Sequence, residues 1–385
     1  MGSSFKFKNK SSSITWLFLE LAIVVSVFSQ IETISKVMHP FMYLSWILVI
    51  GWGIIKNNFG IKISSFTKKF IVSYIAFCSF CLIVGQFDEL YLSANYLRVL
   101  TVPLLLTIAG NLYSDMDKTL LNRLTILYLI CSIIFAFWVQ ITYFASYGAW
   151  LTAQTYLFEQ KNSAGQIWCA AIFAALFLVE YNNNIQKYLA YAGSFYLFVI
   201  TAVCQCRTSI LGIAVAIATY AMSRSKHKIL LILLVILIAV LAWFTPFTRQ
   251  FIEQALLLNK YEGADLDTFS SGRLGGYEIA FSYIFKSPII GIGKYYVDCS
   301  YISILAETGL VGFFLIEFIW ANKMLRCYRF NGEAKEKIFL FFITTFYIVE
   351  SMLEGFPPFG PGVSSFMFWF LSEILCEQQV VYVKE

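Results

Sequence analysis

The sequence is short of charge. Asp, Glu, Lys and Arg make up only 13% of its 385 residues, about half the share of an ordinary soluble domain. Water is thereby excluded as the solvent for most of its surface. Histidine is scarcer still, with only His39 and His227, which leaves little room for imidazole acid–base chemistry or His-rich metal sites. The chain has no phosphate-binding P-loop, no dinucleotide fingerprint and no zinc-spaced His/Cys cluster. No metal, nucleotide cofactor or nucleic-acid partner is expected.

What is present is apolar. Hydrophobic residues make up 59% and the mean hydropathy is +0.71, values that suit a surface facing hydrocarbon. The 38 Phe, 23 Tyr and 9 Trp fit lipid-facing helices with aromatic belts at the headgroup level. The nine cysteines are dispersed. Cys78 and Cys81 have CxxC spacing but lie in an apolar run, where they read as small core residues. Cys204, Cys206 and Cys299 are expected on one side of the membrane, and free thiols are the simpler reading. The basic start, MGSSFKFKNKSSS, runs into a long apolar segment without a small-residue cleavage site, so a retained first span is expected.

A membrane-spanning helix needs about twenty apolar residues. Twelve candidates follow, at about 14–31, 40–55, 70–86, 96–112, 121–145, 164–180, 187–204, 208–222, 229–245, 300–320, 338–354 and 363–378. With the N-terminus inside, nineteen of the 28 Lys and Arg fall on cytoplasmic segments, as the positive-inside rule requires. Both termini are then cytoplasmic. Residues 1–385 read as a single integral membrane domain, all-α and polytopic. Its largest interruption, 246–299, is expected as an extracytoplasmic loop between spans nine and ten, with short amphipathic helices at FIEQALLL (251–258) and YEIAFSYIF (277–285).

Several short patterns sit toward that face. NSAGQ (162–166) precedes a span, CRTSILG (206–212) opens another, and Arg273 leads an amphipathic stretch that runs through SPIIGIG (287–293) into SYISILAETGLVG (300–312). In this order and spacing they resemble the O-antigen polymerase and ligase superfamily, across roughly the C-terminal two-thirds of the chain. The resemblance implies transfer of a glycan from an undecaprenyl pyrophosphate carrier to an acceptor hydroxyl, on the outer face of the bacterial cytoplasmic (inner) membrane. The lipid carrier belongs to the substrate and no cofactor is implied. Expected partners are membrane lipid, the lipid-linked oligosaccharide, a chain-length regulator and a flippase.

Such a reaction needs fixed cations for the departing pyrophosphate, and arginine suits phosphate oxygens best. Arg207, Arg273 and Arg98 are the candidates, the last just inside the 96–112 span with Asp88 and Glu89 as alternative salt-bridge mates. The acceptor hydroxyl needs a carboxylate or other base. Asp298 and Glu307 are the catalytic candidates, although Asp298 also suits a helix cap, and Glu307 suits a brace for an arginine or a neighbouring helix. Glu350 and Glu354, one helical turn apart, are candidates for sugar hydroxyls or plain interfacial carboxylates. Trp150, Tyr156, Tyr261, Tyr277, Tyr295 and Tyr296 could stack on sugars, yet any membrane protein carries such residues.

In ligase-like members a His-Asn pair opens the helix after the SPxxGxG turn, where this chain has Asp298 and Cys299. The missing histidine favours a polymerase of the Wzy type, which moves the growing chain onto an incoming lipid-linked repeat of O-antigen, capsule or exopolysaccharide. A ligase acting on lipid A core and a flippase for the same lipid-linked units are the alternatives. Sequence shows none of the internal repetition that transporters usually carry.

Overall fold

The computed structural model describes residues 13–384 except 60–62, 86–94, 145–160, 257, 259–271 and 361–364, and within 227–242 only Leu233, Leu237 and Leu241. Among the described residues there is no strand. In chain order the helices are α1 (Ser13–Phe28), α2 (Glu32–Lys56), α3 (Ser65–Gly85), α4 (Asn95–Leu112), α5 (Lys118–Tyr143), α6 (Lys161–Phe177) and α7 (Asn184–Val203). They continue with α8 (Arg207–Arg224), α9 (Pro246–Leu256), α10 (Arg273–Lys286), α11 (Ser300–Tyr328), α12 (Ala334–Leu353), a π turn (Met367–Leu371) and α13 (Ser372–Lys384). Four of them, α2, α3, α5 and α11, are long and apolar enough to cross a membrane. These mark the chain as a membrane-embedded helical protein. The span expected at 229–245 falls largely outside the described residues. Of the loop expected at 246–299, α9 and α10 are described.

Local chemistry sets several boundaries. Asp117 caps α5, its carboxylate accepting the Leu120 N–H at 2.8 Å, and Asn183 caps α7 by accepting the Gln186 N–H at 2.8 Å. Two boundaries differ from expectation. Helix α2 starts at Glu32 and runs through Pro40, so Lys36, expected in a loop, is helical. Helix α11 continues to Tyr328, which turns Lys323 and Arg326 from loop residues into helical ones.

Helix α11 is also broken. Gly309 adopts φ 61° and ψ −169°, a combination open essentially to glycine alone. The backbone groups freed by the break are taken by the SPIIGIG segment. Ile292 and Gly293 donate N–H groups to the Ala306 and Glu307 carbonyls (3.0 and 2.9 Å), while Leu310 and Val311 donate to Pro288 and Ile289 (2.9 and 3.2 Å). A break inside an apolar bundle requires such replacement partners, because lipid supplies none.

The core is aromatic and tightly interlocked. Trp168, Trp320, Trp369, Tyr128, Tyr347 and Phe135 are all but fully buried. Small residues let the helices approach: a Cβ on Gly212 of α8 would lie 2.7 Å from the Phe346 ring of α12, and one on Gly165 of α6 would lie 2.6 Å from Ser209 Oγ of α8. Toward the far end of α11, Lys323 Nζ donates to Glu373 Oε2 of α13 at 2.9 Å, with both side chains fully buried. Arg326 donates to Glu373 Oε1 at 2.7 Å and also pairs with Glu377. Ser64, just before α3, donates to the same Glu373 oxygen. One carboxylate thus ties three parts of the chain.

Candidate functional site

Cations from the described starts of three helices meet at one place in the fold. Lys161 stands at the first described position of α6, Arg207 begins α8 and Arg273 begins α10. The start of α11 joins them through Asp298. Helix N-termini carry partial positive charge, so cations there raise the local potential further and call for anions. The fold supplies carboxylates from the end of α12 and the approach to α11.

Arg273 is the hub. Its Nε donates to Asp298 Oδ2 at 3.2 Å and its Nη2 to Glu354 Oε1 at 3.0 Å. Burial works against the guanidinium charge, but Glu354 and Asp298 outweigh it and hold Arg273 above its ordinary value. The Asp298 carboxylate also accepts the Tyr296 hydroxyl at 2.9 Å on Oδ1, and Tyr277 OH donates to the Asp298 carbonyl at 2.8 Å. Both Asp298 oxygens are therefore occupied.

Glu354 lies just past the last turn of α12. Its Oε1 takes a second donor, Asn162 Nδ2 of α6, at 2.9 Å. Burial pushes its carboxyl up to about 7, the charge of Asp298 adding to the push while Arg273 and the Asn162 bond oppose it. One turn below, Glu350 is fully buried and accepts Gln166 Nε2 at 3.1 Å and Ser209 Oγ at 2.8 Å. The close α6–α8 approach permitted by Gly165 is what lets these two donors converge on one carboxylate.

Arg207 joins the cluster through its neighbours. Lys161 Nζ donates to the Gln205 carbonyl at 3.1 Å, and Cys206 Sγ donates to the Lys161 carbonyl at 3.0 Å. Lys161 lies within electrostatic range of both Arg207 and Glu354. Thr208 stands beside Glu354.

The structure therefore gathers Arg207, Arg273, Asp298, Glu350 and Glu354 from the sequence candidates. It sets Glu307 apart: its Oε1 accepts the Tyr295 N–H at 3.0 Å, its Oε2 has no partner, and the brace it forms is to the 294–295 backbone rather than to an arginine. Arg98 lies in the first turn of α4, but its side chain is outside the described residues, as are Asp88, Glu89, Trp150, Tyr156 and Tyr261. All nine cysteines are free thiols. Among the described residues no group of His, Cys, Asp and Glu could hold a metal ion.

Sequence reasoning passed over Lys161, Asn162, Gln166 and Ser209. Their signal was present, since all four lie in or beside the NSAGQ and CRTSILG runs. Matched against protein-family models and against curated proteins, the chain finds no counterpart.

Proposed function

We propose that the chain is a bacterial polysaccharide polymerase, which transfers a growing glycan from undecaprenyl pyrophosphate to the terminal sugar of an incoming lipid-linked repeat unit. On this reading it crosses the inner membrane twelve times, both termini are cytoplasmic, and residues 246–299 and the Arg273 cluster face the extracytoplasmic side. The observation that carries the proposal is the convergence of Lys161 with Arg207 and Arg273, the last two at helix N-termini, beside a set of carboxylates. Helix starts and arginine forks suit a pyrophosphate, whose leaving oxygen gathers charge as the sugar departs. Carboxylates beside them suit sugar hydroxyls and an acceptor proton. The carrier pyrophosphate supplies the driving force, so the proposal calls for no nucleotide.

A second reading, a flippase for the same lipid-linked units, is favoured by the broken helix α11, since broken helices line transporter sites. Against it, the 288–293 segment fills that break. A ligase acting on lipid A core would use the same chemistry with another acceptor.

Deletion of the gene separates the three. Loss of a polymerase leaves single repeat units on the surface acceptor. Loss of a ligase leaves long lipid-linked chains with nothing attached, and loss of a flippase traps repeats on the inner leaflet. Either of the last two outcomes would reject the polymerase assignment.

A further inference from the structure

We infer that Glu354, through Oε2, is the general base that takes the proton from the acceptor hydroxyl; this assignment rests on the polymerase reading. It comes from comparing the four carboxylates that the sequence offered for the site, Asp298, Glu307, Glu350 and Glu354, oxygen by oxygen. Asp298 has a donor on each oxygen, Arg273 on Oδ2 and Tyr296 on Oδ1. Glu350 likewise has Ser209 on Oε1 and Gln166 on Oε2, and it is closed to any ligand. Neither therefore offers an unengaged oxygen to an incoming hydroxyl. Glu307 has an unpaired oxygen, but it stands apart from the arginines that would hold the donor.

Glu354 differs on each count. Arg273 and Asn162 both bond to Oε1, which leaves Oε2 with no charged or amide donor and only the Thr208 hydroxyl near the carboxyl. The side chain keeps 10% of its surface open, enough for one reacting atom to approach. The buried Thr208 hydroxyl stands beside it within reach of the same carboxyl and can turn to donate to an acceptor oxygen. Besides its proposed part in holding the donor, Arg273 positions Glu354: it fixes that carboxylate through one nitrogen while anchoring to Asp298 through another.

The step balances without a further reactant. The acceptor O–H gives its proton to Glu354 Oε2 while the oxygen attacks the anomeric carbon of the donor glycan. The bond from that carbon to the pyrophosphate oxygen breaks, and its electron pair leaves on the lipid pyrophosphate. Water on the exposed side then takes the proton from Glu354.

The groups facing Glu354 that bear on its titration are Arg273 and Asp298, Lys161 of α6, Glu350 one turn below, Cys206, and the Tyr277 and Tyr296 hydroxyls. With a carboxyl near about 7, the base form is lost as pH falls, so the rate should drop on the acid side of that value.

The test reconstitutes the full chain in lipid nanodiscs with lipid-linked repeat units extracted from the deletion strain. Polymer formation is followed between about pH 5.5 and pH 9, with geranylgeranyl pyrophosphate binding as the donor-site probe. Expected are an acid limb near about 7 in the wild type and a loss of at least about 100-fold in kcat for Glu354→Gln. Probe binding by that variant should stay within about threefold, and Glu354→Asp should retain activity with a displaced limb. Polymerisation by Glu354→Gln near the wild-type rate, or an unchanged acid limb in that variant, would place the base elsewhere while leaving the polymerase intact. Loss of probe binding in Glu354→Gln would make Glu354 part of the donor grip and overturn the assignment. A wild type that neither polymerises nor binds the probe would overturn this inference and the polymerase reading together.

Discussion

Gly291 and Gly309 sit back to back where the SPIIGIG segment fills the break in α11. A Cβ on Gly291 would lie 2.4 Å from the Glu307 carbonyl, and one on Gly309 would lie 2.4 Å from the Ile289 carbonyl. Both also have positive φ, 73° and 61°. Either position changed to alanine would meet backbone that cannot move aside without breaking the hydrogen bonds across the gap. A loss of about 1–3 kcal/mol or more is expected for Gly291→Ala or Gly309→Ala. Thermal unfolding of the detergent-purified variants checks it, and a melting temperature equal to the wild type's would refute the account.

Arg273 bridges Asp298 and Glu354 with two different nitrogens, which a lysine's single ammonium cannot reproduce. Arg273→Lys should abolish chain growth while the protein stays in the membrane at normal level. Arg207→Lys should do the same through the donor pyrophosphate. Surface-glycan gels with an immunoblot of the membrane fraction provide the measurement, and normal chain lengths in both variants would remove the phosphate role.

Glu373 should matter for folding rather than for the reaction. Glu373→Gln leaves the fully buried Lys323 without its counter-charge, a change that typically costs about 3–5 kcal/mol. Replacing both with apolar residues, Lys323→Met with Glu373→Leu, should recover part of that loss, because the pair's desolvation is removed while Arg326 keeps Glu377 as its counter-charge. Melting temperatures of Lys323→Met, Glu373→Leu and the double variant form the cycle, and additive losses would show that the pair is not coupled.

Stability should depend on pH through Glu354. Its folded carboxyl lies near about 7, above its value in an unfolded chain, so the folded state binds the proton more tightly. The stabilisation is complete below the unfolded value and is lost as pH rises through about 7. Melting temperature against pH should carry this slope in the wild type and lack it in Glu354→Gln. A slope that persists in the variant would assign it to another group.

Segments rich in Leu, Ile, Phe and Val announced helices, and described helices lie on the predicted apolar segments other than 229–245, four of them long and apolar enough to cross a membrane. Ends were less legible. Lys323 and Arg326 looked like loop cations because an isolated helix would expose them, whereas α13 brings Glu373 against them. The site was legible in pieces: Arg207, Arg273, Asp298 and Glu354 each stood out for charge near an apolar run. Nothing in their spacing indicated that Arg273 would pair with Glu354, 81 residues away, or that Glu307 would hold a backbone N–H.

Composition and hydropathy alone determined that this protein folds as helices in a lipid-like environment, because a chain so poor in charge can satisfy its backbone there only within each helix. Tertiary structure decided which cations and carboxylates meet. Hydrophobic burial fixes helices by their own residues, but a charge pair forms only where packing brings distant helix ends together. Here that packing depends on close approaches at Gly165, Gly212 and the Gly291–Gly309 contact.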